Sequence, residues 1–395
     1  KMKWLRNILD KVEPEFKDGG RLEMFAPVFE ATDTILFSTD ERTATGPHIR
    51  DSVDIKRVMI LVVISLIPCY IFGAINVGYQ KALTHGLSAT LLENLITGLF
   101  TIGPVVAVTF ISGAFWELLF GVVRKHPISE GFLVTCALIP LTLPPSIPLW
   151  QVAVATSFGI VIGKEIFGGV GMNIFNPALM ARAFLYFTYP ADISGDKVWA
   201  LAPDGYSGPT ALSIPAGKTN ANAIDLLDSA SNELVFDFSW INMFMGWIPG
   251  SIGETNKWLI LIGAFFLIFV GITSWRIMLG SLLGMTVMSL ITNLLAPYST
   301  NSMLTIPPHY HLVMGSFMFG TVFMATEPVT GSHTDKGRWI YGILIGMLTV
   351  IIRSINPAYP EGIMLAILLM NAFSPLIDYF VVQNNIKNRL SRYAQ

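Results

Sequence analysis

Apolar residues in this chain gather into long blocks rather than into the alternating or heptad patterns of a soluble core. Ten such blocks stand near residues 57–77, 99–123, 130–146, 150–169, 174–189, 258–274, 277–296, 310–326, 339–353 and 361–382. A helix crosses hydrocarbon with about 20 predominantly apolar residues. The pattern therefore predicts an all-α integral membrane protein with about ten transmembrane helices. The blocks near 130–146, 174–189 and 310–326 carry Pro or Gly within or beside them, which predicts broken or half helices. Such backbone is tolerated at membrane depth only where protein or a water-filled cavity encloses it.

The polar remainder divides the chain. Residues 1–55 form an N-terminal tail, of which 3–16 read as a short amphipathic helix lying on the membrane surface. Residues 56–189 hold the first five blocks and 258–382 the second five. Between them, 190–257 is rich in Gly, Ser, Asp and Asn and too long for a plain connection, so it is expected to carry function. Residues 383–395 make a basic C-terminal tail.

Composition strengthens the membrane reading. The 395 residues are 52% hydrophobic and 13% charged, with a mean hydropathy of +0.58, whereas soluble proteins carry roughly 25% charged residues. A soluble enzyme or binding module is excluded. The net charge of −2 comes with no concentrated basic surface, so nucleic acid is not an expected partner. Cys69 and Cys136 both lie in apolar stretches, too few and too isolated for a disulfide framework or an iron–sulfur centre held by this chain alone. Nothing resembles a cleaved signal peptide, and the first span is expected to act as its own insertion signal.

Charge also orients the spans, because cytoplasmic loops carry an excess of Lys and Arg. The tail holds Lys1, Lys3, Arg6, Lys11, Lys17, Arg21, Arg42, Arg50, Lys56 and Arg57. Ten spans add Arg124, Lys125, Arg276, Lys336, Arg338, Lys387, Arg389 and Arg392 to the same side, leaving Lys81, Lys197, Lys218, Lys257 and Arg353 outside. Both termini are thus expected in the cytoplasm, with 190–257 on the outer face.

Asn176-Pro177-Ala178 precedes the fifth block and Asn356-Pro357-Ala358 the tenth, 180 positions later, and the same offset superimposes the broken third block on the broken eighth. Five spans per unit is an odd number, so the two units are expected to be inverted. Inverted repeats with discontinuous helices are typical of proteins that move a small solute or ion at their pseudo-symmetric centre.

Glu117, Lys164, Glu165, Arg182, Glu327, Arg353, Glu361 and Asp378 lie within or at the edge of spans. Each costs roughly 2.5–3.5 kcal/mol at mid-depth, so each is a functional candidate. Glu117 and Asp378 are candidates for ion or substrate handling, with a structural salt bridge as the plain alternative. Lys164, Glu165 and Arg353 lie near span ends, where snorkelling accounts for them, and Lys164 has pairing with a neighbour as a further reading. Residues 168–178 read Gly-Gly-Val-Gly-Met-Asn-Ile-Phe-Asn-Pro-Ala and 325–338 read Ala-Thr-Glu-Pro-Val-Thr-Gly-Ser-His-Thr-Asp-Lys-Gly-Arg. Glycines admit close backbone approach to a ligand, and the Asn173 and Asn176 amides suit a heterocycle edge; tight turns between helices explain such glycines equally well. Asp204-Gly-Tyr-Ser-Gly-Pro-Thr210 is a turn presenting hydroxyls.

Taken in order, His48-Ile-Arg-Asp-Ser-Val-Asp-Ile-Lys-Arg57, Gly113-Ala-Phe-Trp-Glu117, Lys164 through Leu179, Ile248-Pro-Gly-Ser-Ile-Gly-Glu254, Asn356-Pro-Ala-Tyr-Pro-Glu-Gly362 and Asn384-Asn-Ile-Lys-Asn-Arg-Leu390 resemble one family nearly end to end. The chain resembles the B subunit of the bacterial Na⁺-translocating NADH:quinone oxidoreductase. The resemblance implies a urea-transporter-like fold of two inverted five-helix repeats in the bacterial inner membrane. It also implies a six-subunit complex in which other subunits supply the NADH site and iron–sulfur cysteines, and in which this chain itself has no assigned catalytic side chain. It assigns Thr210 to FMN, joined by a flavin transferase through a phosphoester, although Pro209 stands where the family usually has Ala. It assigns Asn173 and Asn176 to a non-covalent riboflavin. Gly113, Ala114 and Glu117, with the N-terminal tail, fall to a quinone region (ubiquinone or menaquinone), Ala114 replacing a usual glycine. Glu117 and Asp378 fall to Na⁺ uptake.

Two alternatives stand beside this reading. The D subunit of the Rnf ferredoxin–NAD⁺ complex shares the fold and the flavinylated Thr but lacks the N-terminal extension carrying Arg50-Asp51. A passive channel shares the paired Asn-Pro-Ala or the five-plus-five repeat, but aquaporins carry Arg where Tyr359 stands, and a urea-type channel needs neither the Thr210 turn nor the tail.

Overall fold

The computed structural model describes residues 3–16, 20, 22, 29, 55–124, 131–203 and 206–393. Arg50, Asp51, Lys125, Asp204 and Gly205 lie outside the described residues, as does most of the N-terminal tail. The fold is all-helical, and among the described residues an isolated bridge between Thr219 and Asn301 is the sole β pairing. α1 (Lys3–Phe16) matches the expected amphipathic helix.

Every apolar block forms helix, but the helices are not equal. Among the described residues, six are long and apolar enough to cross a membrane: α2 (Ile55–Thr84), α3 (Leu91–Arg124), α5 (Leu149–Val161, continued by a 3₁₀ turn to Phe167), α10 (Trp275–Leu295, continued to Tyr298), α12 (Asp335–Ile355) and α13 (Ile363–Tyr393). This makes the chain a multi-pass membrane protein. α4 (Gly131–Leu141), α6 (Pro177–Thr188) and α9 (Lys257–Phe269) are shorter, and the eighth block is split into α11 (Pro308–Val313), Phe317–Phe319 and a π-helical turn over Gly320–Met324. The intervening segment carries α7 (Ala223–Glu233) and α8 (Trp240–Met245) between α6 and α9.

The first two spans extend beyond the blocks that hydropathy marks. α2 runs on through Tyr79, Gln80 and Lys81, and α3 takes in Glu93 and Asn94, polar residues ahead of the apolar block. At about 1.5 Å rise per residue, 30 and 34 residues span roughly 45 and 51 Å, longer than hydrocarbon alone needs. Glycines let these helices meet backbone to backbone: a Cβ on Gly98 would fall on the Ala74 carbonyl, and one on Gly284 on the Ile343 carbonyl. Small residues at helix contacts serve the same end in lipid generally, where burial of apolar surface supplies no drive between helices.

The broken helices are satisfied by protein. The carbonyls of Leu141 and Leu143, at the free end of α4, accept from the N–H groups of Gly253 (2.8 Å) and Ile252 (3.2 Å). Around α11, Arg353 donates to the carbonyls of His311 (2.9 Å) and Met314 (3.1 Å), while Lys257 Nζ donates to those of Gly315 (3.1 Å) and Glu254 (2.6 Å). Cations at a helix C-terminus oppose its negative dipole end. The expectation that Arg353 snorkels is therefore corrected: it is wholly buried and serves as a cap. Lys257, counted above as an outer-face charge, is equally buried and carries no topological signal. In each case a neighbouring element, invisible in a hydropathy window, closes over the side chain.

Candidate functional site

Two cavities stand at opposite ends of the bundle. Val58 and Met59, at the start of α2, line the first. At the other end of that helix Thr84 Oγ1 donates to the Leu201 carbonyl at 3.2 Å, in the segment that walls the second.

The first cavity, about 760 Å³ of empty space counted with its open mouth, lies beneath the Gly-rich loop that follows α5. Gly168, Gly169 and Gly171 take φ of 120°, 101° and 91°, which side chains other than glycine rarely adopt. That turn swings the chain back so that Asn173 and Asn176 line the cavity with Lys164, Thr326 and Glu327. Asn176 is the N-cap of α6: its Oδ1 accepts from Ala178 N (3.0 Å) and Leu179 N (3.2 Å), and its Nδ2, which faces Glu327, is the part left toward the cavity. Asn173 Nδ2 donates to the Phe175 carbonyl (3.1 Å), leaving its carbonyl oxygen. Glu327 stands beside both amides and accepts from Thr330 Oγ1 at 2.8 Å. The structure thus brings Asn173 and Asn176 together, facing a carboxylate absent from the residues singled out for flavin.

Of its two readings, Lys164 shows pairing with neighbours rather than snorkelling. It is 2% exposed and pairs with Glu117, also 2% exposed, and with Glu165 Oε1 at 3.2 Å. Glu165 is buried with it rather than reaching a span end. Arg124 completes the group, its Nη1 3.2 Å from Glu165 Oε2 and its Nη2 donating to the Glu165 carbonyl at 2.7 Å. Two carboxylates and Lys164 are buried together, and Arg124 neutralises the group from its solvent-accessible edge. Gly113 sits one turn earlier on α3 and packs directly on Cys136 Sγ of α4, while Ala114 is half-buried. Gly113, Ala114 and Glu117 line neither cavity. Asp378, on α13, is likewise engaged: Ser332 Oγ (2.7 Å), His333 N (2.8 Å), Thr334 N (3.0 Å) and Thr334 Oγ1 (2.6 Å) all donate to it. No hydrogen bond or ion pair joins Glu117 to Asp378 among the described residues.

The second cavity, of about 710 Å³, lies under the 190–257 segment. Thr210 lines it with Ser213, Trp199, Arg182, Tyr186, Tyr359 and Glu361. Thr210 opens a turn: its carbonyl accepts from Ser213 N (3.0 Å) and Ser213 Oγ (2.9 Å), and its own Oγ1 accepts from Ser213 N (3.3 Å). The hydroxyl proton is left for other chemistry. Pro357 and Ala358 of the second Asn-Pro-Ala form another wall. Asn356 Oδ1 accepts from Ala358 N at 3.1 Å, repeating the bond from Asn176 to Ala178.

Sequence reasoning missed Glu254, His311 and Ser316. Glu361 accepts from Ser316 through both its N–H and its hydroxyl, and Arg353 Nη1 lies 3.3 Å from His311 Nδ1. Their signal was available only as buried polar residues beside a Gly or Pro break. Among the described residues no group of three or more His, Cys, Asp or Glu is placed to hold a metal ion.

Fold and cavities together define a multi-pass helical membrane protein whose cavities carry a few polar groups on largely apolar walls and whose helices bury charged residues. The chain belongs to the NQR2, RnfD, RnfE family, whose model matches residues 42–387. It is 49% identical over 411 aligned positions to the B subunit of the Na⁺-translocating NADH-quinone reductase of Azotobacter vinelandii, covering 98% of this chain and 99% of the relative. It is 47% identical to the corresponding protein of Pseudomonas aeruginosa, with the same coverage. The protein of that name from Chromohalobacter salexigens is 47% identical over 99% of this chain and 97% of its own length.

Proposed function

We propose that this chain is the membrane subunit of a Na⁺-translocating NADH:quinone reductase, passing electrons by way of flavins to a quinone and coupling that flow to outward movement of Na⁺. Identity of 47–49% over 98% of the chain to proteins named as the B subunit of that enzyme is the observation that carries this reading. The family model alone fits an Rnf-type subunit equally; the matches over 98% of the chain favour the quinone reductase.

In finer detail, the chain forms ten spans in two inverted five-helix repeats, divided at 190–257, with both termini in the cytoplasm of a bacterial cell. The like-placed Asn176 and Asn356 turns support the repeat. Other subunits bring the NADH site, and a flavin transferase acts on Thr210. The residues fit the groups assigned to them unevenly. Thr210 fits FMN attachment, having a free hydroxyl proton on a cavity with aromatic walls. Asn173 and Asn176 fit a riboflavin ring edge, one amide keeping an acceptor and the other a donor. When bound, the flavins supply the electron-carrying chemistry, and the protein's part is placement and electrostatics. For a quinone, Gly113, Ala114 and Glu117 form a packed wall rather than an opening, so no step is assigned to them. Na⁺ at Glu117 or Asp378 has to displace donors already in place.

Moving one Na⁺ outward against 100 mV costs about 2.3 kcal/mol, within reach of electron transfer from NADH to quinone. The decisive experiment replaces Thr210 with Val. In-gel flavin fluorescence of the subunit is expected to vanish; a surviving covalent band would overturn the assignment.

A further inference from the structure

Arg182 is 4% exposed, yet among the described residues no hydrogen bond or ion pair engages its guanidinium. It lines the Thr210 cavity and also a smaller one of about 270 Å³ enclosed by Thr142, Glu254, Ser316 and the π-helical turn. Tyr359 is likewise 4% exposed, and its hydroxyl has no partner among the described residues. It too lines the Thr210 cavity, its ring 4.4 Å from that of Tyr186.

A buried guanidinium without a partner is costly, because desolvation removes water and nothing replaces it. The surroundings do not compensate it fully. Glu254 and Glu361 face it, but Lys257 and Arg353 share the same two carboxylates, so the group keeps an excess of one positive charge. Glu361 Oε2 is further occupied by Ser316 and Glu254 Oε1 by the Ser251 N–H at 3.0 Å, while Glu254 Oε2 has no hydrogen-bond partner among the described residues. A planar cation and a phenolic O–H converging on one cavity form a donor set for an anionic oxygen.

We infer that Arg182 and Tyr359 together bind an anionic oxygen of the group esterified to Thr210. The inference rests on the flavin reading of that threonine. Two parts of the group offer this chemistry: the phosphodiester, which carries a charge in every redox state, and the ring edge, which gains charge when reduced. Each donor lies shortly after one of the two Asn-Pro-Ala tripeptides, Arg182 on the helix opened by Asn176-Pro177-Ala178 and Tyr359 directly after Asn356-Pro357-Ala358. The turn that caps the first helix and its counterpart thus deliver one donor each to the same cavity.

The test uses the whole complex purified from membranes, as wild type and as Arg182→Gln, Arg182→Lys and Tyr359→Phe. Three readings are taken: the mass of this subunit, its in-gel flavin fluorescence, and the midpoint potential of its covalent flavin by spectroelectrochemistry. If the phosphodiester is the ligand, Arg182→Gln lowers the fraction of subunit carrying the adduct. If the ring edge is, the adduct persists and its midpoint falls. Tyr359→Phe shifts the same reading by less, and Arg182→Lys restores part of it. Full adduct and an unchanged midpoint in both Arg182→Gln and Tyr359→Phe would overturn the inference. Should Arg182→Gln fail to assemble, Tyr359→Phe decides alone, since the hydroxyl it removes bonds to nothing among the described residues. A wild-type subunit without the adduct overturns the Thr210 reading itself and this assignment with it.

Discussion

The two ends of the bundle treat buried charge in opposite ways. Beneath the Gly-rich loop, Lys164, Glu117, Glu165 and Arg124 close on one another. Under the 190–257 segment, Arg182 and the Tyr359 hydroxyl are just as buried and bond to nothing among the described residues. Burial removes a charged group from water at a cost of several kcal/mol, recovered only by partners of good geometry. The first group therefore stabilises its end of the protein as it stands, whereas the second is organised for something the chain does not itself contain. Removing one member should be severe in the first and mild in the second.

The largest test of that contrast is Lys164→Met. It leaves Glu117 buried without a cation, and breaking such a pair costs about 3–5 kcal/mol. The melting temperature of the purified complex is expected to drop markedly, and adding Glu117→Leu should recover much of the loss. A Lys164→Met protein as stable as wild type would dissolve the contrast. Gly113→Ala comes next: its new methyl meets Cys136 Sγ, and overpacking of this kind costs about 1–3 kcal/mol. Cys136→Ala makes room, so the double variant should be more stable than the sum of the singles. Additive effects would show that the two helices part freely there.

The smallest test compares the two Asn-Pro-Ala turns. Asn176 is buried and accepts two N–H groups, whereas Asn356 is exposed and accepts one. Asn176 caps α6, and loss of a cap costs about 0.5–2 kcal/mol, whereas Asn356 opens no helix and closes only an exposed turn, so Asn176→Ala should lower the melting temperature more than Asn356→Ala. Equal melting shifts would deny that the repeat has specialised.

Much of the helical layout could be read directly, because long apolar blocks have few ways to satisfy their backbone in lipid. Residues 130–146 and 310–326 were legible as broken for the same reason: Pro and Gly interrupt blocks too short to cross. Asn173, Asn176 and Thr210 were found through motifs, and each lines a large cavity. Arg353 was misjudged, and pairing and snorkelling of Lys164 could not be told apart, because a hydropathy window registers distance to a span end, while burial depends on which helix lies across the way. Glu254 and the capping role of Lys257 went unnoticed because the lysine acts at the carbonyls of Gly315 and Glu254, brought together only by the break after α11.

The chain by itself determined that this is a multi-pass helical membrane protein, where its helices break, and which family it belongs to, because those properties follow from local apolar content and from motifs kept in order. Which charges are paired was decided only in three dimensions. Glu117 meets Lys164 across 47 positions, and Arg182 and Tyr359 meet one cavity across a still longer separation. Electrostatic partnership depends on distance and desolvation, and neither exists until the helices pack.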